Sequence, residues 1–156
     1  MRINPQNYLN NNVYMRSRRA DLAYGLAKEA DVIRLISSEF KCELSKTPNQ
    51  YCCYDAEGID MRLEIKSRRI SSKTYSTTII PVHKSLAKTD EKSLVFCFNF
   101  TDGIYYIAYD ADMFSQFKIS NISTWRDGRQ ETPKPHYEIP VINLKRISID
   151  NTNNDI

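Results

Sequence analysis

Residues 51–69 constrain the chain more than any other stretch. Tyr51-Cys52-Cys53-Tyr54-Asp55 is rich in strand-forming side chains, and Arg62 to Arg69 alternates apolar with charged residues. Between them, Glu57-Gly58-Ile59-Asp60 has the composition of a reversal, with Gly58 free to take the positive φ that tight hairpins use. Two strands joined this closely pair antiparallel, and their register follows by arithmetic. With the reversal centred between Ile59 and Asp60, residues whose numbers sum to 119 stand opposite one another. Asp55 then faces Glu64 at a Cβ separation of about 5 Å. Leu63 and Ile65 share one face of the return strand; Glu64, Lys66 and Arg68 share the other.

Two acids this close repel each other unless a cation sits between them. Lys66 projects from the same face as Glu64, about 7 Å along the strand. Two carboxylates and a lysine converging in this way suit hydrolysis of a phosphodiester. The carboxylates hold Mg2+, which polarises the phosphate and activates water, and the lysine stabilises charge or orients the nucleophile. Asp60 is the competing acid. It shares parity with Glu64, but on a straight strand it lies roughly 13 Å away, so it is assigned to the turn. The plainer reading of Glu64 and Lys66 is an exposed strand face with alternating charges; their place between apolar neighbours weighs against it.

Ahead of the hairpin, Leu22, Leu26, Ile33, Ile36 and Phe40 recur at steps of three and four, predicting a helix from Ala20 to Phe40. Glu29 falls on the same stripe. A carboxylate among core positions is costly unless a partner or a cation meets it, so Glu29 either joins the acids of the hairpin or reaches water at the stripe's edge. Lys41 to Leu44 reads as a short strand and Thr47-Pro48-Asn49 as a turn. Beyond the hairpin, Thr74 to Pro81 is extended or mixed and Val82 to Lys88 a short helix. Ser93–Phe100 and Ile104–Tyr109 are strands joined by Thr101-Asp102-Gly103, and Asp110 caps a helix running to Phe117. The stretch from Asn121 to His136 reads as a hairpin or arm around Asp127-Gly128, and Ile139 to Ile147 as a short helix. Without repeats or a linker, the expectation is one domain over 1–149 and a flexible tail over 150–156.

Composition narrows the function classes. A chain of 156 residues, 41% of them hydrophobic, can bury one ordinary core. No apolar run reaches the roughly 18 residues of a membrane span, so no membrane partner is expected. Met1 to Asn12 is polar and lacks a secretory h-region, predicting a cytoplasmic protein, or one in a host-cell interior if viral. Cys42, Cys52, Cys53 and Cys97 lack the spacing of a zinc site, and only His83 and His136 could assist, so reduced and mostly buried thiols are expected. The net charge of +3 is small, but it is concentrated. Arg16, Arg18 and Arg19 form one basic cluster; Lys66, Arg68, Arg69 and Lys73 form another. Such clusters suit a groove for phosphates, with a solvated basic surface as the alternative. Lys84 and His83 could face the same groove or lie on an exposed helix face. Trp125, with Arg126 and Arg129 nearby, could stack on nucleic acid or pack in the core.

The array of helix, Asp55, reversal, Glu64-Ile65-Lys66 and Ser67-Arg68 resembles the PD-(D/E)XK nuclease superfamily, which includes restriction endonucleases and Holliday-junction resolvases. The resemblance covers roughly Arg18 to Tyr109 and departs at Tyr54, where that superfamily frequently has proline. It implies an α/β protein with a restriction-endonuclease-like core, a central mixed β-sheet flanked by helices in the order αβββαβ. The helix bearing Gly25 and Glu29 would be the first of that core, whose glutamate often joins the metal site. The implied site has Asp55, Glu64 and Lys66 as catalytic residues. Asp55, Glu64 and Glu29 would be ligands of Mg2+, for which Mn2+ can substitute. Arg68, Arg69, Lys73 and Lys84, with Arg16, Arg18 and Arg19, would grip nucleic acid. The implied activity is a Mg2+-dependent endonuclease acting on DNA, of restriction, recombination or homing type. The alternative is a non-catalytic module on the same fold that binds nucleic acid or protein. So short a chain has little material for reading bases, which predicts a homodimer or higher homo-oligomer, or recognition of DNA shape.

Overall fold

The structure is a computed structural model and describes residues 29–49 and 52–148. Its strands in chain order are β1 Ser45–Lys46, β2 Ala56–Glu57, β3 Met61–Ser67, β4 Thr77–Pro81, β5 Ser93–Phe100, β6 Gly103–Ala108, β7 Lys118–Ile122, β8 Trp125–Arg126, β9 Arg129–Gln130, β10 Lys134–Pro140 and β11 Lys145–Arg146. Helix α1 occupies residues 29–40, α2 is Ala111–Ser115, and 3-10 turns span Val82–Ala87 and Val141–Asn143. No helix among the described residues is long and apolar enough to cross a membrane.

The apolar run Leu94-Val95-Phe96-Cys97-Phe98 makes β5 a strand buried on both faces, and the molecule is layered around it. A six-stranded sheet runs β1-β2-β3-β5-β6-β11. β3 and β5 are parallel and the other neighbours antiparallel, so the sheet is mixed. On one face α1 presses Val32, Ile33 and Ile36 against Ala56, Leu63, Val95 and Cys97. On the other, Leu94, Phe96 and Phe98 pack against Ile80, Tyr137 and Ile139 of a second sheet ordered β4-β10-β7. Asp110 caps α2 by accepting the Met113 N–H at 2.8 Å, which seats Phe114 edge-on to Tyr137 with ring centroids 5.1 Å apart. Phe96 and Phe98 are fully buried, and removing each ring from water contributes about 2 kcal/mol.

The α/β class and the mixed central sheet match the sequence expectation; the flanking layers differ. Where the order αβββαβ calls for a second helix, the chain forms β4 and the 3-10 turn Val82–Ala87. One face of the sheet is therefore covered mainly by strands. The helix expected over Ile139 to Ile147 is also replaced, by the end of β10, a 3-10 turn and β11. Ile139 and Pro140 pair with Thr78 and Thr77 of β4, with Ile139 buried, and Lys145 and Arg146 pair with β6. The strand expected at Lys41 to Leu44 forms instead at Ser45–Lys46. Cys52 to Asp55 are bends, not strand, because Thr47 ties down Tyr54 O at 3.0 Å and Asp55 O at 3.1 Å through its hydroxyl.

The hairpin register is the predicted one. Ala56 faces Leu63 and Glu57 faces Arg62, and the Gly58 N–H closes the reversal on Met61 O at 2.8 Å. The reason for glycine is different from the expected one. Gly58 does not adopt positive φ; a Cβ there would meet Glu43 O at 2.5 Å and Cys42 Sγ at 2.9 Å. The position demands close approach of two backbones.

Candidate active site

β3 alternates Leu63 toward α1 with Glu64 toward the second sheet, so the acid is buried by the fold's own layering. Asp55 lies one residue before β2, just past the ladder pair Ala56–Leu63, and its carboxylate feels the charge of Glu64. Its position is fixed twice: its N–H donates to Leu63 O at 2.7 Å, and its Oδ2 accepts the Ile65 N–H at 2.7 Å. Burial and the charge of Glu64 raise the Asp55 pKa above the ordinary carboxylate value, against the lowering effects of the Ile65 N–H, Lys66 and Lys84.

Glu64 is 3% exposed. Its Oε1 sits between Lys66 Nζ at 3.0 Å and Lys84 Nζ at 2.9 Å. Its Oε2 is buried with no hydrogen-bond partner, a costly state for a carboxylate oxygen. An orphaned hard oxygen beside a second carboxylate fits a divalent cation of the kind that takes one or two carboxylates and completes its shell with water and phosphate. Asp55 and Glu64 are the residues that could hold it.

Lys84 enters from the 3-10 turn Val82–Ala87, which leaves β4 at Pro81 and also brings Lys84 Nζ within 3.4 Å of Cys53 O. Sequence reasoning placed Lys84 among phosphate contacts and missed its ion pair with Glu64. Twenty residues and a change of layer separate the two, and no local periodicity signals such a contact. His83 is exposed; partial burial and the charges of Lys84, Lys134, Lys66 and His136 hold its ring below the usual imidazole pKa.

Glu29 stands apart from Asp55 and Glu64. It lies on α1, paired with Lys46 at 3.6 Å. Lys46 stands opposite Ala56, and Ala56 opposite Leu63, on the α1 side of the sheet; Glu64 points to the other side. Among the described residues no three His, Cys, Asp or Glu side chains are grouped to hold a metal. The expected third ligand is not gathered with Asp55 and Glu64.

The expected phosphate contacts divide. Arg68 is half-buried, donates to Ile79 O at 2.8 Å, and has its pKa lowered by burial, so that it ties the end of β3 to β4. Arg69 and Lys73 are exposed on the turn that Asp102 holds by accepting the Ser72 N–H at 2.8 Å and hydroxyl at 2.6 Å. Arg16, Arg18 and Arg19 lie outside the described residues. Trp125 does not pack in the core: it is 68% exposed. The four thiols are free, and burial pushes Cys97 up to about 12.

Tyr54, at the place where proline is frequent in the superfamily that the hairpin resembles, has work of its own. Its ring lies under the Arg62 guanidinium at 4.6 Å and its hydroxyl donates to Glu57 Oε2 at 3.0 Å. Arg62 at 3.2 Å and Lys92 at 2.6 Å complete the cluster on Glu57 Oε1, locking the hairpin that carries Asp55.

A search of curated proteins finds no match to this chain. A family model described as "Phage putative PDDEXK endonuclease" matches residues 16–146.

Proposed function

The chain belongs to the phage PDDEXK endonuclease family, and from that premise we propose that it is a Mg2+-dependent endonuclease hydrolysing DNA phosphodiester bonds, with Asp55 and Glu64 as metal ligands. The observation that carries the reading is Glu64: one oxygen between two lysines, the other buried and unpartnered, beside Asp55. When bound, the ion supplies Lewis acidity toward the phosphate and lowers the pKa of its water.

The chain's own residues set the conditions for that chemistry. Asp55 Oδ2 accepts the Ile65 N–H, which fixes the carboxylate that would help hold the ion. Two carboxylates and two ammonium groups cancel, so with a divalent ion held there the cluster would carry net positive charge toward a phosphodiester. Lys66 and Lys84 share a single carboxylate oxygen, and each can turn one N–H toward the scissile phosphate as charge develops there. Arg69 and Lys73 extend positive charge along the backbone. The reading includes a homodimer, in which two such centres would address the two strands of a duplex.

The test is Lys66→Ala on supercoiled plasmid and branched DNA, with Mg2+ and with chelator. The expected result is loss of cleavage by about a hundredfold or more, with folding and most DNA affinity retained. Wild-type rates in the variant would remove Lys66 from the chemistry. Binding without Mg2+-dependent cleavage by the wild type would leave the non-catalytic module.

A further inference from the structure

The hairpin at the tip of the second sheet plays no part in the site described above. β7 and β10 pair as far as Ile122 and Lys134, and the chain then continues as β8 and β9, which form a two-stranded sheet of their own. Asp127 at φ 53° and Gly128 at φ 74° make the left-handed two-residue turn that suits the twist of a hairpin. The neck is closed by the Glu131 N–H on Thr124 O at 2.7 Å and the Thr124 hydroxyl on Glu131 Oε2 at 2.8 Å.

This ribbon has two chemically different faces. Trp125 stands opposite Gln130 on one, and Arg126 opposite Arg129 on the other. Trp125 is the chain's single tryptophan, and at 68% exposure its indole keeps most of an apolar π surface in water. Arg126 is itself 78% exposed, with Glu131 at 3.6 Å.

The ribbon also leaves the second sheet at the end where the turn carrying Lys84 begins. Pro81, the end of β4, faces His136; the 3-10 turn carrying His83 and Lys84 starts there, and Lys134 lies two residues toward the tip. The charges of Lys134, Lys84 and Lys66 all bear on the His83 ring. Positive charge thus continues from the site through Lys134 to Arg129 and Arg126.

We propose that the ribbon is a wedge for branched DNA, with Trp125 stacking on an unpaired base where two strands part and Arg126 and Arg129 holding phosphates of the other strand. The inference rests on the nuclease reading above and names its substrate class. The physical reason for a branch is that an intact duplex offers base edges in its grooves, whereas an indole needs the face of an unstacked base. A ribbon with an aromatic face and a cationic face matches two strands diverging on either side of it.

Trp125 reports on itself, because indole fluorescence in this chain comes from it alone. The wild type, in chelator to prevent cleavage, is titrated with a forked duplex, a blunt duplex of equal length, and single-stranded deoxy- and ribo-oligonucleotides. Stacking predicts strong quenching by the fork and the single strands and little by the blunt duplex; the ribo arm shows whether the sugar matters. Trp125→Ala should bind the fork about tenfold more weakly and lose the preference for fork over blunt duplex, while Trp125→Phe keeps most of it. An unchanged preference in Trp125→Ala, or equal quenching by the blunt duplex, overturns the wedge and leaves the nuclease reading, which the Lys66→Ala cleavage assay decides separately. An emission shift that grows with protein concentration without DNA means a second copy covers the indole, and overturns the wedge as well. If no nucleic acid binds in any form, both readings fall.

Discussion

Asp55 and Asp60 are five residues apart on one hairpin and have unlike surroundings. Asp55 is half-buried beside Glu64 and held by the Ile65 N–H. Asp60 sits in the reversal, its Oδ1 accepting the Cys42 thiol at 3.2 Å and its backbone O accepting the Ser93 N–H at 2.8 Å. Asp55→Asn should therefore weaken Mg2+ binding by at least about tenfold, and Asp60→Asn should leave it within about twofold. Calorimetric titration of both decides the matter; a larger loss in Asp60→Asn would move the ion to the other end of the hairpin. The approach of Asp55 to Glu64 and Lys66 was legible in the sequence because a tight reversal fixes register locally. Glu29 was not, for a specific reason. Helical periodicity says which side of α1 meets the sheet, but not on which side of the sheet the acids project. Lys84 was half legible: its charge marked it, while its contact with Glu64 depends on the packing of a second layer.

The hairpin element is secured at its base by Glu57, on which Lys92, Arg62 and Tyr54 converge. This cluster, with the Lys92 hydrogen bond as the largest influence, holds the Glu57 carboxyl at about 2, against an ordinary 4.5. A depressed carboxyl contributes stability that is present above the ordinary pKa and lost as pH falls through the folded value, here from about 4.5 to about 2. The urea midpoint of the wild type should fall across that window more steeply than that of Glu57→Gln, and the gap between them should narrow in high salt. Parallel curves would mean the cluster adds nothing to the fold. Other elements show where sequence patterns stop. The turns at Asp102-Gly103 and Asp127-Gly128 announced their hairpins because each is set by adjacent residues. Residues 139–147 misled, because Ile139 and Pro140 are held by β4 and Lys145–Arg146 by β6, both distant in the chain. Val82–Ala87 kept a helical hint without lengthening past a 3-10 turn.

At the scale of the molecule, a net charge of +3 conceals the exposed cations Arg69, Lys73, Arg126, Arg129 and Lys134. If these five neutralise about five phosphates at roughly −0.9 each, the log–log slope of DNA affinity against salt should lie near −4 to −5. Fluorescence titrations at several ionic strengths measure it, and a slope near zero would remove DNA as the partner of these cations. The pairing of β4 with β10 has a consequence in time. The hairpin that brings Asp55 to Glu64 closes within a dozen residues, whereas Ile80 waits for Tyr137, and contacts so distant in the chain form late. During translation, the carboxylates and Lys66 emerge early, but the layer that buries Glu64 and the ribbon bearing Trp125 require the last strands. On the nuclease reading, a nascent chain is inert until the residues of β10 have joined β4.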